Sequence, residues 1–177
     1  MIETSKNEAS EGRWPPALGR IMPLESRHDS GLAALIRTVS AEYGLTADKG
    51  FSVADPSLDR LSEVYRQHDA EYWIVENNAG QLLGGAGLGP MPGDDDVCEL
   101  QKMYLAASAR GKGLGRELAL HVLRQARILG YRLCYLETTA ILPEALALYL
   151  QLGFTPCERR GNTGHHDCEI TLMLPLS

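Results

Sequence analysis

A chain of 177 residues, 44% hydrophobic and 23% charged, is long enough to bury one core without disulfides or a structural metal. Its net charge of -6 lacks the basic surplus of a general nucleic-acid binder and leans toward a cationic partner wherever the carboxylates gather. The four cysteines, Cys98, Cys134, Cys157 and Cys168, stand far apart with no CxxC pair, which fits reduced thiols in a cytosol better than a zinc site or a disulfide framework.

Residues 1–17 are polar, end near Pro15-Pro16 and read as a flexible lead-in to a single domain over 18–177. They hold no apolar core of a secretion signal, and no later run approaches membrane-spanning length. The expectation is a soluble, cytoplasmic protein with neither membrane nor nucleic acid as partner. "RIMPL" (20–24) starts a sheet. Asp29 or Ser30 then caps a helix through about Glu42, with Leu32, Leu35, Ile36 and Val39 at helical spacing. After a breaker-rich loop (43–57), Pro56 opens a second helix whose apolar face is Leu58, Leu61, Val64 and Tyr65. "EYWIVEN" (71–77) alternates as a strand, "NNAG" turns, and "QLLGGAGLG" (81–89) is a strand weakened by glycine. "VCELQKMYL" (97–105) completes an antiparallel meander.

A helix from near Gly113 to about Leu129 ends at Gly130, and "RLCYLETT" (132–139) follows as a buried strand, so this crossover is parallel and right-handed. "PEALALYLQL" (143–152) is a helix with Pro143 and Glu144 in its first turn and Gly153 after it. "GFTPCERR" (153–160) and "DCEITLMLPL" (167–176) make two last strands. The order β-α-α-β-β-β-α-β-α-β-β describes an α/β fold. Its mixed, mostly antiparallel sheet has about six to seven strands, flanking helices and one parallel β-α-β crossover, where a ligand crevice is expected.

Arg110-Gly111-Lys112-Gly113-Leu114-Gly115-Arg116 sits where the crossover helix begins. Free N–H groups at a helix start suit a phosphate or diphosphate, and glycines let it approach the main chain. Cations at this end oppose the helix dipole, so three of them call for an external anion. A solvated basic loop is the alternative reading. Two phosphate motifs fail: Lys112 is followed by Gly113 and not Ser or Thr, and Arg116 stands where a dinucleotide fingerprint needs glycine.

Arg110-x-x-Gly113-x-Gly115, preceded by "ELQKMYL" and followed by "EALALYLQLGF", resembles the GNAT superfamily of acyl-CoA-dependent N-acetyltransferases, most strongly over residues 97–155. The resemblance implies a GNAT-like fold and acetyl-CoA as cosubstrate. The turn from Arg110 and Gly111 through Lys112, Gly113, Leu114 and Gly115 to Arg116 would cradle the diphosphate. The main chain of Met103, Tyr104 and Leu105 would hold the thioester and the pantetheine arm, with the Met103 N–H facing the developing oxyanion. Thr138 and Thr139, at the end of the second strand, would bond the cofactor arm.

By the same resemblance Tyr149 would protonate the leaving thiolate and Glu99 would take the amine's proton, directly or through water. The alternative readings are a core tyrosine and a structural carboxylate. The asparagine that many relatives carry early in the 143–152 helix is missing here, which leaves the pantetheine contacts open. Glu42, Tyr43, Phe51 and Asp55 fall in the loop that in this superfamily usually shapes the acceptor pocket, with rings and carboxylates suited to a cationic amine, although a solvated face explains Glu42 and Asp55 equally well. The acceptor would be a small-molecule or peptide amine, and a homodimer is left open. A non-catalytic acyl-CoA sensor and a nucleotide-phosphate enzyme are the rivals.

No metal is expected. "GDDD" (93–96) is a hairpin tip too short to wrap a cation. His165 and His166 of "GHHDC" would face opposite ways in a strand. His121 reads as surface.

Overall fold

The computed structural model describes residues 18–177, so the lead-in expected over 1–17 lies outside the described residues. The elements run β1 (Arg20–Pro23), α1 (Asp29–Glu42), α2 (Leu61–Val64), β2 (Glu71–Glu76), β3 (Leu82–Met91), β4 (Asp94–Leu105), α3 (Leu114–Ile128), β5 (Leu133–Thr138), α4 (Pro143–Gln151), β6 (Thr155–Pro156) and β7 (Ile170–Pro175). Seven strands form one sheet in the order β1-β2-β3-β4-β5-β7-β6. Every neighbouring pair is antiparallel except β4 and β5, which are joined through α3. This is the mixed sheet with one parallel crossover that the pattern of periods implies.

Strand alternation divides the core between the two faces of the sheet. Trp73 and Val75 of β2 join Leu88, Cys98 and Leu100 in one cluster with Leu114, Leu118, Val122 and Ala126 of α3. Tyr72 and Ile74, the intervening residues, join Leu32, Ala33 and Ile36 of α1 with Leu58, Leu61 and Tyr65 in another. Tyr149 and Phe154 pack into the α3 cluster in a tilted edge contact at 6.0 Å.

Several local expectations need correcting. Asp29 does not cap α1. The preceding residue, His28, holds the cap position, and the Asp29 carboxylate accepts from the Ser62 N–H (2.8 Å) and hydroxyl (2.5 Å), tying α1 to α2. The second helix has only four residues behind a 3₁₀ turn at Leu58–Arg60 and is capped at its end by Tyr65, whose ring lies against Gly87 of β3. The hairpin tip is Pro92-Gly93, and Asp94 to Asp96 already belong to β4. Strand β6 is only two residues long: Pro156 has no amide to donate, and after Cys157 the chain leaves the sheet. That departing segment is fastened by Arg159 to Glu137 (2.9 Å) and by Arg160 to Asp94 (3.2 Å).

The glycines of β3 have a specific use. A Cβ on Gly85 would stand 2.5 Å from the Tyr72 ring, and one on Gly87 would stand 2.7 Å from the Tyr65 ring and hydroxyl. Bare backbone here is a slot for two aromatic rings, which lie 5.1 Å apart.

Candidate active site

The parallel pairing of β4 with β5 covers only Val97–Leu133, Cys98–Cys134 and Glu99–Tyr135. Beyond it β4 continues to Leu105 and β5 to Thr138 without pairing with each other, so the sheet opens into a cleft. The cause lies on the other edge of β4. Gly87 pairs with Gln101 and Gly85 with Tyr104, so Ala86 opposes two residues, Lys102 and Met103, in a β-bulge. Lys102 carries a φ of 46°, and the Tyr72 hydroxyl donates to its carbonyl at 2.7 Å. The bulge bends β4 away from β5.

Lys102, Met103 and Tyr104 line one wall of the cleft, Leu136 to Thr139 the other, and Phe51, Tyr149 and Cys168 close it. The Ala106 N–H donates to the Leu83 carbonyl (2.8 Å), so alternation turns the N–H and C=O of Leu105 away from β3 and toward the cleft side.

The turn into α3 stands beyond the end of β4. After Arg110 the next backbone N–H with a partner is that of Glu117, bonded to the Gly113 carbonyl at 3.1 Å. Six consecutive amides, 111–116, therefore have no acceptor among the described residues. Gly111 and Gly113, with φ of 70° and 83°, supply the left-handed backbone that gathers them. A Cβ on Gly115 would press on Leu105 at 3.1 Å and Leu148 at 3.4 Å, so the bare residue lets α3 sit close against β4 and α4. This concave run of donors at a helix N-terminus fits a diphosphate.

The three cations of this turn have different tasks. Arg110 donates to the Leu105 carbonyl (2.9 and 3.1 Å), pairs with Glu42 at 2.7 Å and lies 5.3 Å over the Tyr43 ring. It is a strut between β4 and α1, with its charge already met. Lys112 donates to the Ser108 carbonyl at 2.7 Å. Arg116 is exposed and has no partner among the described residues. Glu42 and Tyr43 are thus drawn to Arg110, apart from Phe51 and Asp55. Phe51 is buried in the cleft wall, and Asp55 pairs with Lys102 at 2.8 Å. Burial would raise Asp55, but bonds from Lys102 and Ser57 hold it at about 2.

Glu99 lies on the face of β4 opposite the α3 cluster and is 5% exposed. Its Oε2 accepts from Gln101 Nε2 at 2.7 Å. Burial pushes its carboxyl up to about 7; the Gln101 bond and Lys102 oppose the rise, and Glu137 adds to it. Tyr149 is buried, lines the cleft and has no hydrogen-bond partner among the described residues. Burial first, then the nearby Tyr104, raises its phenol well above the ordinary value. Thr138 is buried in the cleft wall, whereas the Thr139 hydroxyl donates to Glu169 at 3.2 Å.

The sequence alone gives no role to Lys102, Gln101 or Glu137 and reads Tyr65 only as part of an apolar helix face. Glu137 is almost fully buried and accepts from Tyr135 (2.8 Å), Thr163 (2.7 Å) and Arg159. Gln101 was within reach of a period-two argument, being two residues from Glu99 on one strand. The others carry no such signal.

Among the described residues no group of three or more His, Cys, Asp or Glu is arranged to hold a metal, and no helix is long and apolar enough to cross a membrane. His165 and His166 lie at a turn and not in a strand, with the Cys168 N–H bonded to the His165 carbonyl at 3.0 Å. His121 is no surface residue: its ring packs edge-on against Trp73 at 5.1 Å, and burial lowers its pKa.

Comparison with known proteins agrees with this geometry. The model of the acetyltransferase (GNAT) family matches residues 38–154. The chain is 52% identical over 155 residues to the Escherichia coli protein YjgM, described as an uncharacterized N-acetyltransferase, covering 86% of this chain and 92% of that one. The crystal structure of a GNAT-family acetyltransferase from Staphylococcus aureus superposes with a TM-score of 0.79 at 19% identity, over 90% of this chain and 99% of that one. The yncA structure from Salmonella typhimurium, solved with its cofactor acetyl-CoA, gives 0.70 at 20% identity, over 90% and 95%. The family match runs through both the split strands and the amide turn, and a relative more than half identical spans most of the sequence; the chain belongs to the GNAT acetyltransferase family.

Proposed function

We propose that this protein transfers an acetyl group from acetyl-CoA to a primary amine by direct attack, with both substrates held at once. The observation that carries the reading is the run of six unpartnered amides, 111–116, opening beside the split between β4 and β5. Those amides, with the exposed Arg116, would hold the diphosphate, and the main chain of Met103 to Leu105 and the Thr138 hydroxyl would hold the arm. When bound, acetyl-CoA supplies an activated thioester: the N–C bond to the acetyl group forms as the C–S bond breaks.

An alkylammonium has a pKa of about 10, so its free base is scarce at neutral pH. Glu99, titrating at about 7, is ionised often enough to accept the proton that the nitrogen loses as it attacks, directly or through one water. Tyr149 stays protonated through this range because burial raises it, so its O–H is available to the departing sulfur. The Met103 N–H would face the oxygen on which charge develops. Proton and acetyl balance: amine and acetyl-CoA become amide and coenzyme A thiol. Cys168 lines the cleft, but burial pushes its thiol up to about 12, so it is a poor nucleophile and favours direct attack over a covalent acyl-enzyme.

The test is acetyl transfer to a panel of an alkylamine, a polyamine, an amino acid and a lysine peptide. Tyr149→Phe should lower kcat by about a hundredfold with little change in KM for acetyl-CoA. Cys168→Ser should leave turnover unchanged. Tight binding of acetyl-CoA without turnover of any amine would instead identify an acyl-CoA sensor.

A further inference from the structure

Glu99 does not stand alone. Its neighbour on the same face of β4, Gln101, donates from Nε2 to Glu99 Oε2 at 2.7 Å. The Tyr65 hydroxyl, arriving from the end of α2, donates to Gln101 Oε1 at 2.7 Å. An ionised carboxylate only accepts, so Gln101 must present its N–H₂ to Glu99 and its oxygen to the tyrosine. The chain therefore has one sense when Glu99 is charged: phenol to amide to carboxylate.

The facing strand is shaped for it. Gly89 pairs with Glu99 and Gly87 with Gln101. A Cβ on Gly87 would stand 2.7 Å from the Tyr65 hydroxyl, and one on Gly89 would stand 3.0 Å from Gln101 Oε1. Two bare positions in register leave the space that ring and amide fill. Tyr65 is itself buried, and Glu99 Oε1 has no hydrogen-bond partner among the described residues.

We propose that Tyr65 and Gln101 are positioning residues that hold Glu99 by Oε2 and leave Oε1 free to take the acceptor amine's proton. This rests on the reading of Glu99 as the base. The charged and titratable groups facing Glu99 are Lys102 of β4, Glu137 and the register partner Tyr135 of β5, and Tyr65 itself, which also feels Asp55 from the loop before α2.

The experiment is titration of the Glu99 carboxyl carbon by NMR in the full chain, which needs no acceptor, for wild type, Gln101→Met and Tyr65→Phe. Loss of the amide donor in Gln101→Met should move the Glu99 midpoint up by about one pH unit. Tyr65→Phe, which keeps the ring in its slot, should move it in the same direction by less. With acetyl-CoA and the best amine of the panel, kcat in Gln101→Met should fall about tenfold with KM for acetyl-CoA unchanged. A Glu99 midpoint in Tyr65→Phe that coincides with wild type overturns the relay. Glu99→Gln separates the two claims: full turnover in that variant removes the base, whereas lost turnover with unshifted titrations in the other two removes only the positioning.

Discussion

Glu99, a carboxylic acid with 5% exposure that burial pushes up to about 7, ties folding to pH. The folded pKa of Glu99 lies above the ordinary value of 4.5, so the native protein holds this proton more tightly than the unfolded chain. That contribution is fully present below pH 4.5 and is lost as pH rises through 7. A rise from 4.5 to about 7 corresponds to about 3 kcal/mol. Glu99→Gln, neutral at every pH, should therefore gain stability relative to wild type between pH 4.5 and 8, by up to about that amount. Urea unfolding at a series of pH values measures it. A constant difference between the two proteins across this range would mean that Glu99 is not raised. Asp55 behaves oppositely: held at about 2 by Lys102 and Ser57, its contribution survives ordinary pH and is lost only in strong acid.

At the scale of elements, β3 carries the most specific packing. Along the strand alone its glycines look like weakness, but their use depends on Tyr65 and Tyr72, which come from elsewhere in the chain. Gly87→Ala should destabilise the fold by about 1–3 kcal/mol, since the new methyl meets the Tyr65 ring. Removing the ring as well, in Gly87→Ala with Tyr65→Ala, should cost less than the sum of the single changes, with a coupling of at least about 1 kcal/mol in a double-mutant cycle. Strict additivity would show that the slot does not hold the ring. Strand β4 shows the same limit of reading along the chain. Its existence follows from alternation, but its bulge rests on a lysine in left-handed backbone, a residue type with no preference for that conformation. The Tyr72 bond to the Lys102 carbonyl that accompanies it is a contact between strands.

Across the molecule, the order of strands and helices was legible because turn residues punctuate each change of period, and the parallel crossover followed from one helix between two strands. The amide turn was legible from Arg110-x-x-Gly113-x-Gly115, and Tyr149 and Glu99 stood out by family resemblance. The occupation of Arg110 by Glu42 and the Leu105 carbonyl was not, since a cation's partner depends on which distant carboxylate the fold brings near. The segment after β6 escaped for the same reason: Arg159 and Arg160 find Glu137 and Asp94 only once the sheet exists.

The proposed function rests on the open amides of 111–116 binding a diphosphate and so directing a thioester into the split beside β4. Titrating the ¹⁵N-labelled chain with coenzyme A tests this most directly. Diphosphate binding at the turn should give saturable shifts of the Gly111 to Arg116 amides together with those of Met103 to Leu105. Saturation with those nine resonances unmoved, while others respond, would contradict it.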